Sequence, residues 1–154
     1  LPIRHVFLPG SMGTTEAGFL MGNAVLGNPF TVHLPSVEYD RHELEAKISA
    51  ICEKSIAWSG LDCTVAQCMN SAVIYDNYLG DGYNVPTHAS LEALRLAASL
   101  EGMVLENIYT SKTFACLIDL ARRNSLPSND GLCFIHTGGV PALFAQQGFI
   151  EEVF

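Results

Sequence analysis

Two short glycine turns carry the residue types in this chain best suited to holding an anion. They are Pro9-Gly10-Ser11-Met12-Gly13-Thr14-Thr15 and His136-Thr137-Gly138-Gly139, and each follows an apolar run. In the first, Gly13 lets the backbone approach a ligand closely, and Thr14 and Thr15 add hydroxyl donors. The Ala/Leu/Met-rich run that follows, to about Leu26, offers the free N–H groups and positive dipole end of a helix start. Together these suit a phosphate. An ordinary strand-to-helix turn has the same composition, so the pattern alone leaves both readings open. Met12 and Thr14 interrupt the glycines of a dinucleotide fingerprint, and no Gly-Lys-Ser/Thr follows as in a P-loop, which disfavours a nicotinamide enzyme and a nucleotide hydrolase. Thr137 is also placed to be a helix N-cap.

Other reactive side chains form no recognisable constellation. Cys52, Cys63, Cys68, Cys116 and Cys133 are odd in number and show no Cys-x-x-Cys spacing, so neither a zinc ribbon nor a disulfide framework is expected. Most lie in apolar stretches, where a free cysteine packs as a small hydrophobe, and a reducing cytoplasm suits them. His5, His33, His42 and His88 lack metal-ligand spacing, and no metal is expected.

Both turns need strands to feed them. His5 to Leu8 reads as the first strand, and Phe30 to Leu34 as the second. Asp40 then caps a helix, with Glu43 at the capping-box position and Leu44, Ile48, Ile51 and Ser55 on one face. Ala72 to Tyr75 is a third strand, and Gly80 to Pro86 a loop. Thr87 caps a helix that stops at Gly102. Met103 to Leu105 is a possible further strand. Phe114, Leu117, Ile118 and Ala121 mark the core face of a helix from about Ser111 to Arg123, and Leu132 to Ile135 is a short strand of the fully buried kind. Strands alternating with helices favour an α/β fold: an open, mostly parallel sheet with helices on both faces. In such a sheet both glycine turns fall at the carboxyl edge, where ligands bind.

The 154 residues and 49% hydrophobic composition accommodate a single domain over residues 1–154. No apolar run approaches the length of about 20 residues needed to span a bilayer. A formal net charge of −8 disfavours nucleic acid and anionic membranes as partners.

Several blocks are similar in order and spacing to the end of the D-cysteine desulfhydrase and 1-aminocyclopropane-1-carboxylate deaminase family. They are Gly82-Tyr83-Asn84-Val85-Pro86, Ser90-Leu91-Glu92-Ala93, Tyr109-Thr110-Ser111-Lys112, and Phe134-Ile135-His136-Thr137-Gly138-Gly139-Val140-Pro141-Ala142-Leu143-Phe144-Ala145. The resemblance is strong over residues 72–146, weaker over 5–35, and slight between them. It implies the tryptophan-synthase β-like fold, pyridoxal phosphate as cofactor and an amino acid as substrate. Gly13, Thr14 and Thr15 would hold the cofactor phosphate. Thr137, with Gly138 beside it, and Thr110 would lie near the pyridine nitrogen, and Tyr109 and Tyr83 would be the active-site tyrosines. A hydroxyl at Thr110, where the deaminase pattern has a carboxylate, favours β-elimination over ring opening. Four departures stand out. Thr14 replaces a glycine of the desulfhydrase pattern, Met12 replaces a small residue, and Asn84 and Ser111 replace glycines.

None of the three lysines, Lys47, Lys54 and Lys112, stands in the family's Schiff-base lysine motif, and Lys112 matches a lysine that the family has besides that one. The resemblance therefore implies the carboxyl-terminal part of the cofactor domain, without the amino-terminal half that carries the lysine. The chain alone is expected to be inactive, and to form a homo-oligomer or to join a separate amino-terminal half. The alternative is an inactive small-ligand-binding or interaction module derived from the same fold.

Overall fold

Ten elements follow one another along the chain: β1 (Ile3–Phe7), α1 (Thr14–Val25), β2 (Thr31–Pro35), α2 (Arg41–Ser59), α3 (Val65–Asn70), β3 (Ala72–Tyr75), α4 (His88–Glu101), α5 (Thr110–Arg122), β4 (Gly131–Phe134) and α6 (Val140–Ala145). The computed structural model describes residues 1–145; the last nine residues of the expected domain lie outside them. The strands form one sheet in the order β3-β2-β1-β4, and every pairing is parallel. Val6 is the centre of the register, opposite Val32 on one side and Cys133 on the other.

Alternation along the strands divides the sheet into two faces. Val32, Leu34 and Ile74 pack with Ala17, Leu20 and Met21 of α1, Leu44, Ile48 and Cys52 of α2, and Cys68 of α3. On the other face His33 stacks between Phe7 and Tyr75, and α5 packs over β1 and β2. A second cluster, Leu94, Ala97, Leu105 and Leu143, is closed by Phe114 and Phe134, whose rings meet edge-on at 5.1 Å. Cys52, Cys63 and Cys68 all sit in the first core as small apolar groups.

The helix starts follow their side chains. Asp40 accepts the Glu43 N–H, Thr87 and Ser90 form a reciprocal capping box, and Gly102 ends α4 in the left-handed region. A second box, Thr64 with Gln67, starts the short helix α3 in a stretch the sequence pattern leaves undefined.

Four local expectations are corrected. Residues Met103 to Leu105 form no strand, because the Met103 N–H is taken by the Ala97 carbonyl at the end of α4. The buried side of α2 runs Leu44, Ile48, Cys52 and passes by Ser55. Strand β4 is half-buried, being an edge of the sheet. In α5 the apolar stripe is not the deepest face: Ala121 is exposed, and Thr110, Ser111, Lys112 and Thr113 are buried. Hydrophobic period identifies a face, whereas here a polar network buries the first turn.

Across the sheet's second face runs a line of hydrogen bonds from one edge to the other. Tyr75 meets His33 Nδ1 at 2.8 Å, His33 Nε2 meets His5 Nδ1 at 2.9 Å, and His5 Nε2 lies 3.4 Å from Asp130. With both rings neutral, one assignment satisfies all four groups. His5 donates to Asp130, His33 donates to His5, and Tyr75 donates to His33. Burial, and secondarily the charge of a protonated His5, pushes His33 from the ordinary 6.5 down to about 4. A depressed folded-state value means that acid protonates the unfolded chain first. The His33 contribution to stability is therefore fully present above about pH 6.5 and is lost as the pH falls towards about 4. Melting curves across that range should show this decline, and His33→Leu should flatten it while lowering the melting temperature at pH 7.

Candidate active site

Because β1 and β4 are parallel neighbours, the turns that leave them lie side by side at the carboxyl edge of the sheet. Between them is a cavity of about 240 Å³. Thr14, Thr15 and Glu16 line it from the first turn, Thr137, Gly138 and Gly139 from the second, and Tyr109 from the start of α5.

The first turn is shaped by Gly13, which caps α1 with φ at +91°. A Cβ there would lie 3.0 Å from Ile51 Cδ1 and 3.4 Å from the Ile48 backbone nitrogen, so both conformation and space demand glycine. No side chain caps α1, and the first amide to find a backbone carbonyl is that of Ala17, on Gly13. Among the described residues, the N–H groups of Met12, Gly13, Thr14, Thr15 and Glu16 meet no protein acceptor. This row of donors stands at a helix start, where anions are favoured. The two amides before the row are engaged, Gly10 N–H by the Pro35 carbonyl at 2.9 Å and Ser11 N–H by Glu16 Oε1 at 2.6 Å.

Tyr109 is held from two directions. Its hydroxyl meets that of Tyr83 at 2.5 Å, and its N–H donates to Glu106 Oε1 at 2.8 Å. The Tyr83 hydrogen bond, then partial burial, pushes the Tyr109 phenol up to about 12. A phenol so shifted stays protonated near neutrality, so it is a donor here and no resting base.

Glu106 organises this corner and was not singled out in the sequence. It is fully buried and accepts the N–H groups of Ile108, Tyr109 and Thr110, together with the Thr110 hydroxyl at 2.9 Å. It thus caps α5 from four residues upstream of the helix. It also supports the second turn, since a Cβ on Gly139 would lie 2.8 Å from Glu106 Cγ. The available signal was an acidic residue just before a helix start.

Lys112 is fully buried as well. Its ammonium donates to the carbonyls of Leu79 and Gly82, which fixes the loop bearing Tyr83. Asn84, in that loop, adopts φ of +60°, and its carbonyl accepts from Asn107 at 3.0 Å. Asparagine is among the few residues that tolerate this backbone, so the replacement of a glycine at this position leaves the turn intact.

Of the residues expected at the site, Thr14, Thr15, Tyr109, Thr137 and Gly138 come together around the cavity. Gly13 forms the turn beneath them, and Tyr83 reaches the site through Tyr109. Thr110 stands behind the wall: it is fully buried and its hydroxyl is bonded to Glu106.

Residues 1–138 match the family described as pyridoxal-phosphate dependent enzyme. The chain belongs to this family. It is 37% identical over 140 residues to D-cysteine desulfhydrase of Salmonella newport, and equally to that of Salmonella typhimurium, covering 91% of this chain and 41% of each relative. A solved structure of an ACC deaminase homologue matches with a TM-score of 0.78 and 25% identity, over 91% of this chain and 41% of that one. The chain thus spans about two-fifths of the length of these relatives. Its open parallel sheet is the tryptophan-synthase β-like arrangement of the family.

Two substitutions test the supporting network. Lys112→Met leaves the Leu79 and Gly82 carbonyls without their donor, and denaturant unfolding should show a loss of about 2 kcal/mol. Ser111 is buried, and its hydroxyl meets no acceptor among the described residues. Ser111→Ala should therefore stabilise the chain by about 1 kcal/mol in the same measurement.

Proposed function

We propose that this chain supplies the phosphate seat and part of the ring-facing wall of a pyridoxal-phosphate site. The intact enzyme would carry out β-elimination on D-cysteine or a related amino acid. The observation that carries this reading is the row of five N–H groups, Met12 to Glu16, without an acceptor among the described residues, opening beside Tyr109 and Thr137 at one cavity. Backbone donors at a helix start fit a phosphate ester, and the Thr14 and Thr15 hydroxyls can add hydrogen bonds. When bound, the cofactor supplies an electron sink for charge developing on the substrate's α carbon.

The remaining work falls to this chain's own side chains. Thr137 lines the cavity and carries a neutral hydroxyl. Tyr109 holds its proton on the phenol oxygen, where it can donate to a substrate carboxylate or a departing group. Tyr83 and Glu106 fix its position. Position 110 carries a threonine committed to Glu106 behind the wall in place of the deaminase pattern's carboxylate, and this absence of a carboxylate side chain there supports elimination of a good leaving group.

None of Lys47, Lys54 and Lys112 lines the cavity, and the Lys112 ammonium is committed to two carbonyls. The amine that would hold the cofactor's aldehyde is therefore assigned to a segment outside this stretch, joined to it in one assembly. Side chains such as Leu1, Ile3, Val104 and Phe144, all exposed, are candidates for contact with that segment or with a second copy of the chain.

Calorimetry with inorganic phosphate and with pyridoxal phosphate tests the seat directly. The expected result is weak, reversible binding of both, lowered at least about tenfold in Gly13→Ala, where the added Cβ collides with α2. Mixing the chain with a desulfhydrase amino-terminal segment that carries the lysine should yield sulfide release from D-cysteine. Absence of phosphate binding by a folded chain would reject the seat.

A further inference from the structure

The first turn already holds an anion of its own. Glu16 is the third residue of α1, and only 3% of it is exposed. In an ordinary capping box a glutamate at this position reaches back to the N–H of the cap residue, which is Gly13. Here it reaches two residues further and takes the Ser11 N–H at 2.6 Å, while the Gly13 N–H stays open. Its carboxylate therefore lies along the edge of the donor row, and it lines the same cavity. A second carboxylate stands close by: Ser11 Oγ donates to Glu38 at 2.8 Å. Lys47, on α2, lies over the face of the Tyr39 ring, 4.3 Å from its centroid. A seat whose donors suit a phosphate thus carries negative charge at its rim, and among the described residues no lysine or arginine lines the cavity.

We propose that Glu16 sets the affinity of this seat, competing as a built-in anion with a phosphate ester for the donors of the first turn. The inference rests on the phosphate-seat reading above and adds to it the residue that limits binding. In the empty protein the carboxylate satisfies Ser11 and holds the turn in shape. When a phosphate ester enters, two like charges share a partly desolvated site. Either they coexist at a cost in affinity or the side chain must leave Ser11 and its buried position. Removing the charge relieves both costs. A ligand without the phosphate does not meet the carboxylate in this way, so the effect is confined to phosphate-bearing ligands.

The test measures the dissociation constants of inorganic phosphate, pyridoxal phosphate and unphosphorylated pyridoxal, at pH 8 and fixed ionic strength. It uses the whole chain and its Glu16→Gln and Glu16→Ala variants, with a melting curve for each. Glu16→Gln keeps a carbonyl oxygen for the Ser11 N–H and removes only the charge. It should bind phosphate and pyridoxal phosphate about tenfold more tightly than the parent, with pyridoxal unchanged. Glu16→Ala should shift affinity in the same direction, which secures the result if either variant folds poorly. If the parent binds phosphate and neither variant binds it more tightly, Glu16 does not compete and the inference is overturned, while the seat stands. If all three affinities, pyridoxal included, rise together, the change is one of general packing, and the inference is again overturned. If neither the parent nor a folded variant binds phosphate, the seat itself is refuted.

Discussion

The parallel pairing of β1 with β4 is the constraint on which the site depends. These strands are separated by more than a hundred residues, and their register places Phe7 opposite Phe134. That alignment brings two glycine turns, each unremarkable alone, to one edge and leaves a cavity between them. With β2 on its other side, β1 is the central strand of the pair it makes with each neighbour, and the whole arrangement of donors and hydroxyls is referred to its carboxyl end. A slip of one residue in either pairing would turn Phe7 and His33 out of their shared face and move the turns apart.

Two buried charged side chains then set the finer geometry. Glu106 ends the segment after α4 by gathering three backbone N–H groups and the Thr110 hydroxyl, and it fills the space that Gly139 leaves. Lys112, six residues on, draws in the carbonyls of Leu79 and Gly82. Between them they hold Tyr109 and Tyr83 in contact. Buried charges of this kind are costly unless fully hydrogen-bonded, and their bonding explains how they are tolerated here. Thr110 belongs to this network, so its influence on the cavity passes through Glu106 and the backbone of Tyr109.

The donor row of the first turn follows a different logic. Among the described residues, five N–H groups, Met12 to Glu16, remain open where Gly13, in a left-handed conformation, starts α1 without a side-chain cap. The same feature that leaves the helix start unsatisfied makes it receptive to an anion. Glu16, folded back on Ser11, moderates that receptivity from within the helix.

Strands, caps and turns were legible in the sequence because their causes are local. Asp40 and Thr87 cap because an oxygen stands three residues before a free N–H, and Gly13 turns because it lacks a Cβ. Family blocks around Tyr109 and Thr137 likewise single out residues that line the cavity. Tertiary structure alone decided what those components do to one another. It made β4 an edge, denied residues Met103 to Leu105 a strand, and buried the polar first turn of α5 where periodicity favoured Phe114 and Ala121. It also raised the Tyr109 phenol by pairing it with Tyr83, lowered His33 by burial beside His5, and folded Glu16 onto Ser11. The physical reason is one of range. Propensity and capping act over a few residues and can be read along the chain. Burial, electrostatic shifts and hydrogen bonds between distant loops depend on which strands become neighbours.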